Sequence, residues 1–140
     1  MTVRAVDDGG TAFGGADTSA PQTFTITVTE VNDAPSFSGG GNQTSLLSLG
    51  GQAIAGWATG ISPGPASEAG QSVTFSVSNS SPGLFSAQPQ IQPNGTLSYS
   101  PALLALGSAT VTVRAVDDGG TANSGIDTSP PQTFTITVIL

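Results

Sequence analysis

Cysteine, histidine and lysine do not occur in these 140 residues, and the only cationic side chains are Arg4 and Arg114. Without cysteine there are no disulfides and no thiol chemistry, so stability must come from core packing or bound ions. Without histidine, lysine or cysteine, a serine or threonine nucleophile has no usual side-chain base, and zinc and haem lack their usual ligands. Catalysis is not expected, and no catalytic residue can be named. A formal charge of −7 leaves nothing to neutralise phosphates, which argues against nucleic acid and against anionic membranes as partners. No apolar run approaches the roughly 20 residues of a membrane-crossing helix, so membrane insertion by this segment is not expected. No charged-then-apolar leader opens the chain, so any export signal or anchor is expected elsewhere in a longer parent.

What is abundant is glycine, serine, threonine and valine, in short runs of period-two alternation that read as strands between turns. The class expected is all-β. Laying residues 1–28 on residues 111–138 leaves 23 of 28 positions identical, the exceptions being Met1/Val111, Phe13/Asn123, Gly14/Ser124, Ala16/Ile126 and Ala20/Pro130. The 110-residue offset equals one β-sandwich domain, so the chain reads as a piece of a tandem array of near-copies. Residues 1–29 are expected to be the last two strands of a truncated repeat, 30–35 a linker, and 36–140 one complete repeat. Seven strands are expected in it, near Thr44–Leu49, Ala53–Ile61, Ser72–Ser78, Leu84–Ile91, Gly95–Ser100, Thr110–Asp117 and Gln132–Val138, forming a seven-stranded Greek-key β-sandwich. Asn94-Gly95 carries a tight-turn signal, and Trp57, the one tryptophan, reads as core within an alternating strand.

Three motifs carry a family resemblance. Glu30-Val31-Asn32-Asp33-Ala34-Pro35-Ser36-Phe37 resembles the cadherin inter-domain linker, one residue shorter. Val113-Arg114-Ala115-Val116-Asp117 is similar to the end of the cadherin sixth strand, and Ser67-Glu68-Ala69-Gly70-Gln71 to the acidic loop before its third. The nearest likeness is the cadherin-like (immunoglobulin-like) tandem repeat of very large bacterial surface adhesins. That resemblance implies cell adhesion, export to the cell surface, adjacent copies of the repeat as partners, host or bacterial surface ligands for the parent protein, and calcium at the junctions.

All nine acids lie at strand ends, loops or the linker: Asp7, Asp8, Asp17 and their copies Asp117, Asp118, Asp127; Glu30 and Asp33; and Glu68. In a Greek-key sandwich the incoming chain and the loops after the second and sixth strands share one pole. Glu30, Asn32, Asp33, Glu68 and Asp117 are therefore expected to supply much of one weak Ca2+ site, since calcium takes carboxylate, amide and carbonyl oxygens together. Asp117 shares the inward parity of Val113 and Ala115, whereas Asp118 points outward. Against this stands a bland account in which the acids are solvated turn residues. The resemblance also fails at two places, Ala66 standing where cadherins carry a loop aspartate and Pro101–Leu106 holding no acidic pair. A rival functional reading is a carbohydrate- or protein-binding β-sandwich module without calcium. The orphan hairpin, with Val3, Ala5, Phe24, Ile26 and Val28 on one face, is expected to promote dimers.

Overall fold

A computed structural model describes all residues, 1–140, and divides the chain into two compact units, Met1–Glu30 and Val31–Leu140. The protein is all-β, its only helical segments being three-residue 3-10 turns. In the first unit, β1 (Thr2–Val3) and β2 (Gln22–Thr23) form a two-stranded antiparallel ladder. The second unit contains β3 (Ser36–Ser38), β4 (Gln43–Leu46), β5 (Gln52–Ile54), β6 (Thr59–Ser62), β7 (Val73–Asn79), β8 (Phe85–Ile91), β9 (Leu97–Pro101), β10 (Gly107–Asp117) and β11 (Gln132–Ile139).

The alternation read in the sequence is the alternation of burial. Along β10, Ala109, Val111, Val113 and Ala115 are fully buried while the intervening Thr110 and Arg114 are exposed. Phe134, Ile136 and Val138 of β11 repeat the pattern. These strands sit in the middle of a four-stranded sheet of order β4-β11-β10-β7, in which β4 runs parallel to β11 and the other pairs are antiparallel. A three-stranded sheet β5-β9-β8 and the short pair β3-β6 complete the unit, and their inward residues, Phe37, Phe85, Ile91, Leu97 and Tyr99, join the β10 and β11 valines in one core cluster, with Leu84 of the turn before β8. Pro89 is accommodated because β8 is an edge strand, where no ladder partner needs the missing N–H. Ser45 and Tyr99, both buried, satisfy one another through a 2.6 Å hydroxyl contact.

Three sequence expectations are corrected. Ala53–Ile61 is not one strand: after β5 the backbone turns at Gly56, whose φ is 66°, and resumes as β6. Trp57 lies in that turn and not in a strand, yet it is buried, its ring 4.4 Å from Phe134 and its Nε1 donating to the Gly41 carbonyl. Ser36–Ser38 is an additional strand pairing β6, and its Phe37 meets Phe75 edge-on at 5.2 Å. The boundary between the two compact units falls after Glu30, and Pro35 is fully buried in the second unit. The Asn94-Gly95 turn forms, with Gly95 at φ 88° and Asn94 Oδ1 accepting from the Thr96 N–H.

Identical sequence adopts unequal structure in the two units. Residues 23–28 and 133–138 are both Thr-Phe-Thr-Ile-Thr-Val. The second copy lies wholly in an eight-residue strand, whereas β2 ends at Thr23. The hairpin tip, by contrast, is reproduced: Asp7 N–H donates to Asp17 O as Asp117 N–H does to Asp127 O, both at 2.9 Å. Phe13 and its counterpart Asn123 share a left-handed φ, 56° and 55°.

Candidate functional site

At the N-terminal pole of the second unit the end of β10, the turn before β7 and the segment following Val31 come together. Asp117 is the last residue of β10, and because it continues the inward parity its carboxylate is carried under the following loop, 6 % exposed. Asp117 Oδ1 accepts from Asn32 Nδ2 at 2.8 Å and from the Gly119 N–H at 2.9 Å. Asp118, one residue on, is exposed and accepts from the Ser72 N–H, closing the β7 turn without entering the site.

Glu68 ends a 3-10 turn, Ala66–Glu68, that begins after Pro65. Its carboxylate is also 6 % exposed, and Oε1 accepts from the Asp33 N–H at 2.9 Å. Gln71 is held near by its own N–H donating to Glu68 O, and Gln71 Nε2 donates to Asn32 Oδ1 at 2.8 Å. Asn32 is the hub. Beyond these side-chain bonds its backbone carbonyl accepts from the Ile126 N–H, and its Nδ2 donates also to Ile126 O, both at 2.9 Å. Glycines make the approach possible. A Cβ on Gly119 would collide with Asn32 Oδ1, and one on Gly64 with Glu68 Oε2.

Three buried oxygens of this network, Glu68 Oε2, Gln71 Oε1 and Asp117 Oδ2, have no hydrogen-bond partner. They belong to side chains held against the consecutive residues Asn32 and Asp33. Burying a carboxylate oxygen unpaired is costly, on the order of 1–3 kcal/mol for a polar group and more for a charged one. No lysine or histidine exists to offset it, and Arg114 spends its Nη1 on Ser129 O.

Of the five residues expected to bind metal, Asn32, Glu68 and Asp117 are brought together. Asp33 joins through its backbone N–H alone, its side chain being exposed. Glu30 is exposed and closes the first unit. No group of three or more acidic side chains converges; the two buried carboxylates have the side-chain amides of Asn32 and Gln71 beside them. Gln71 was not among the expected residues. Its signal lies in its spacing, three positions after Glu68, where a reverse turn closed by the Gln71 N–H donating to Glu68 O brings the two residues together. No family model, characterised protein or solved structure matches the chain.

Proposed function

We propose that this chain is a piece of a tandem array of extracellular, non-catalytic, cadherin-like repeats, a spacer in a large bacterial surface adhesin, with one weak Ca2+ site at the N-terminal pole of the complete repeat. The observation that carries the calcium reading is the pair of buried carboxylates, Glu68 and Asp117, each with an unpartnered oxygen beside Asn32-Asp33. The donor types suit a hard cation: two anionic oxygens and the Gln71 amide oxygen, all buried. They fall short of the six to eight that calcium takes, so water and carbonyl oxygens would complete the shell, which corresponds to the weak, extracellular range of affinity. A bound cation would supply the charge that these carboxylates lack. The protein's own part is to preposition them: Asn32 and the Gly119 N–H hold one oxygen of Asp117, the Asp33 N–H holds one of Glu68, and the glycines at 64 and 119 let the backbone close over both.

The Greek-key sandwich is supported by the strand orders. If β3 with β4, and β5 with β6, are each one strand interrupted, seven strands remain, with β3/β6, β5, β9 and β8 forming one layer and β4, β11, β10 and β7 the other. The array is supported by the 23 identities at a 110-residue offset. Near-identity suits a spacer, whose copies do the same mechanical work. The rival reading, a sugar- or protein-binding module, is less well supported because Trp57 and Tyr99 are buried in the core and not displayed on a loop.

The test is a calcium titration of the melting temperature. For a Kd of about 0.1–1 mM, 1 mM calcium adds roughly 0.4–1.4 kcal/mol to the folded state, and EDTA reverses it. Glu68→Gln and Asp117→Asn keep the hydrogen bonds to Asp33 and Gly119 but remove the charge. Each should abolish the calcium response while leaving calcium-free stability equal to or above that of the parent. Unchanged melting and unchanged amide spectra of residues 31–35 in 10 mM calcium, on the order of ten times the weakest such Kd, would reject the calcium reading.

A further inference from the structure

The opposite pole of the complete repeat has a different character. β4 ends at Leu46 beside Ile139, β10 starts at Gly107 beside Val138, and β5 starts at Gln52 beside Tyr99 near the end of β9. These registers bring the turn after β4, the loop between β9 and β10 and the end of β11 to one end of the unit. That end is a cap of leucines. Leu103 is 91 % and Leu104 83 % exposed, with Leu46, Leu49 and Leu106 also exposed. Not one acid or base lies between Pro101 and Gly107. Leu104 is moreover held at φ 60°, a conformation that a leucine rarely adopts and that displays its side chain outward.

An exposed apolar cap on a chain with only 8 % charged residues needs a cover, and the internal duplication indicates which. At the 110-residue offset, Ile139, the last residue of β11, corresponds to Thr29, and the next compact unit begins at Val31. Glu30 alone intervenes. A two-residue step spans at most about 7 Å, so in an array the tether keeps the C-terminal pole of each repeat within reach of the N-terminal pole of its successor. That N-terminal pole carries its own exposed apolar pair, Val31 and Ile126, set side by side by the two hydrogen bonds linking Asn32 to Ile126.

We infer that the leucine cap of one repeat docks on Val31 and Ile126 of the next copy, making an apolar joint that stiffens the array. The inference rests on the array reading but not on calcium. A contact too small to hold two free molecules together suffices here, because so short a tether gives the two faces an effective concentration in the millimolar range or above. The joint uses no charged group, so neither salt nor chelator weakens it.

A chain of two successive repeats, in which residues 29–140 follow Val138, tests this with the second repeat segmentally labelled. Leu103→Asp with Leu104→Asp in the first repeat is expected to move the amide signals of Val31 and Ile126 in the second and to lower the melting temperature by roughly 2–5 °C. The same pair placed in the second repeat, whose cap has no successor, should change neither, and both results should persist in EDTA. Signals of Val31 and Ile126 that ignore the first-repeat substitutions, or that respond equally to both placements, overturn the joint. A calcium response retained in such a case leaves the ion site standing, and a joint that persists without any calcium response leaves the joint standing.

Discussion

Replacing Ile136 by alanine removes three carbons from a side chain with no exposed surface, at the centre of β11. At about 0.8 kcal/mol per buried methylene the transfer loss is about 2.4 kcal/mol. The cavity left between β10 and the facing core adds to it, so the total should fall at about 3–4 kcal/mol. The same substitution at Ile26, in the identical context Phe-Thr-Ile-Thr-Val, strikes a residue that is 62 % exposed and outside any strand. There the cost to the second unit should be near zero. Urea unfolding followed by tryptophan fluorescence separates the two cleanly, because the single tryptophan, Trp57, is buried against Phe134 and reports only the second unit. Ile136→Ala should move the transition midpoint sharply to lower urea with little change of slope, and Ile26→Ala should leave it in place. Equal shifts from the two substitutions would mean that the two copies share one core, and would refute the division into an anchored and an orphan copy.

Tyr99→Phe strands the buried Ser45 hydroxyl and should cost about 1–2 kcal/mol, whereas Ser45→Ala with Tyr99→Phe should cost less than the sum of the single changes, as a double-mutant cycle in urea would show. Gly119→Ala should lower stability by about 1–3 kcal/mol by driving Asn32 and Gln71 apart, and should weaken the calcium-dependent rise in melting temperature with it. Asn123→Ala should cost about 1 kcal/mol because asparagine tolerates the left-handed backbone, and Phe13→Asn should slow amide exchange at Asp7 and Gly15 for the same reason. Val3, Phe24, Ile26 and Val28 are exposed apolar side chains of the first unit, so sedimentation should find concentration-dependent association that deletion of residues 1–29 removes.

Much of the second unit was legible because its central strands are long and amphipathic. Thr-Val-Thr-Val-Arg-Ala-Val-Asp states both the strand and its inward face, and that parity alone distinguishes the buried Asp117 from the exposed Asp118. Short elements were less legible. Three residues of Ser-Phe-Ser carry too little periodicity to declare β3, and the alternation across Ala53–Ile61 continues through Gly56 although the backbone does not. The candidate site was legible only in outline. Glu68 and Asp117 could be named as acids of one pole, but Gln71 owes its place to the reverse turn that follows Glu68, and the hub role of Asn32 depends on a loop whose closure no local pattern encodes.

The clearest division between the two levels lies in the duplicated segment. Local sequence determines the hairpin tip, where Asp7 and Asp117 make the same turn, each side-chain Oδ1 accepting from the N–H of the first following glycine, Gly9 or Gly119, whatever surrounds them. It does not determine the strand that follows. Thr-Phe-Thr-Ile-Thr-Val is β11 where β4 and β10 flank it and the facing core covers Phe134, Ile136 and Val138, and it is irregular in the first unit, where the same three positions are exposed. The turn is held by bonds between residues close in sequence, whose loop-closure entropy is small. A strand must be repaid for its ordering by apolar burial, and that burial comes from residues tens of positions away.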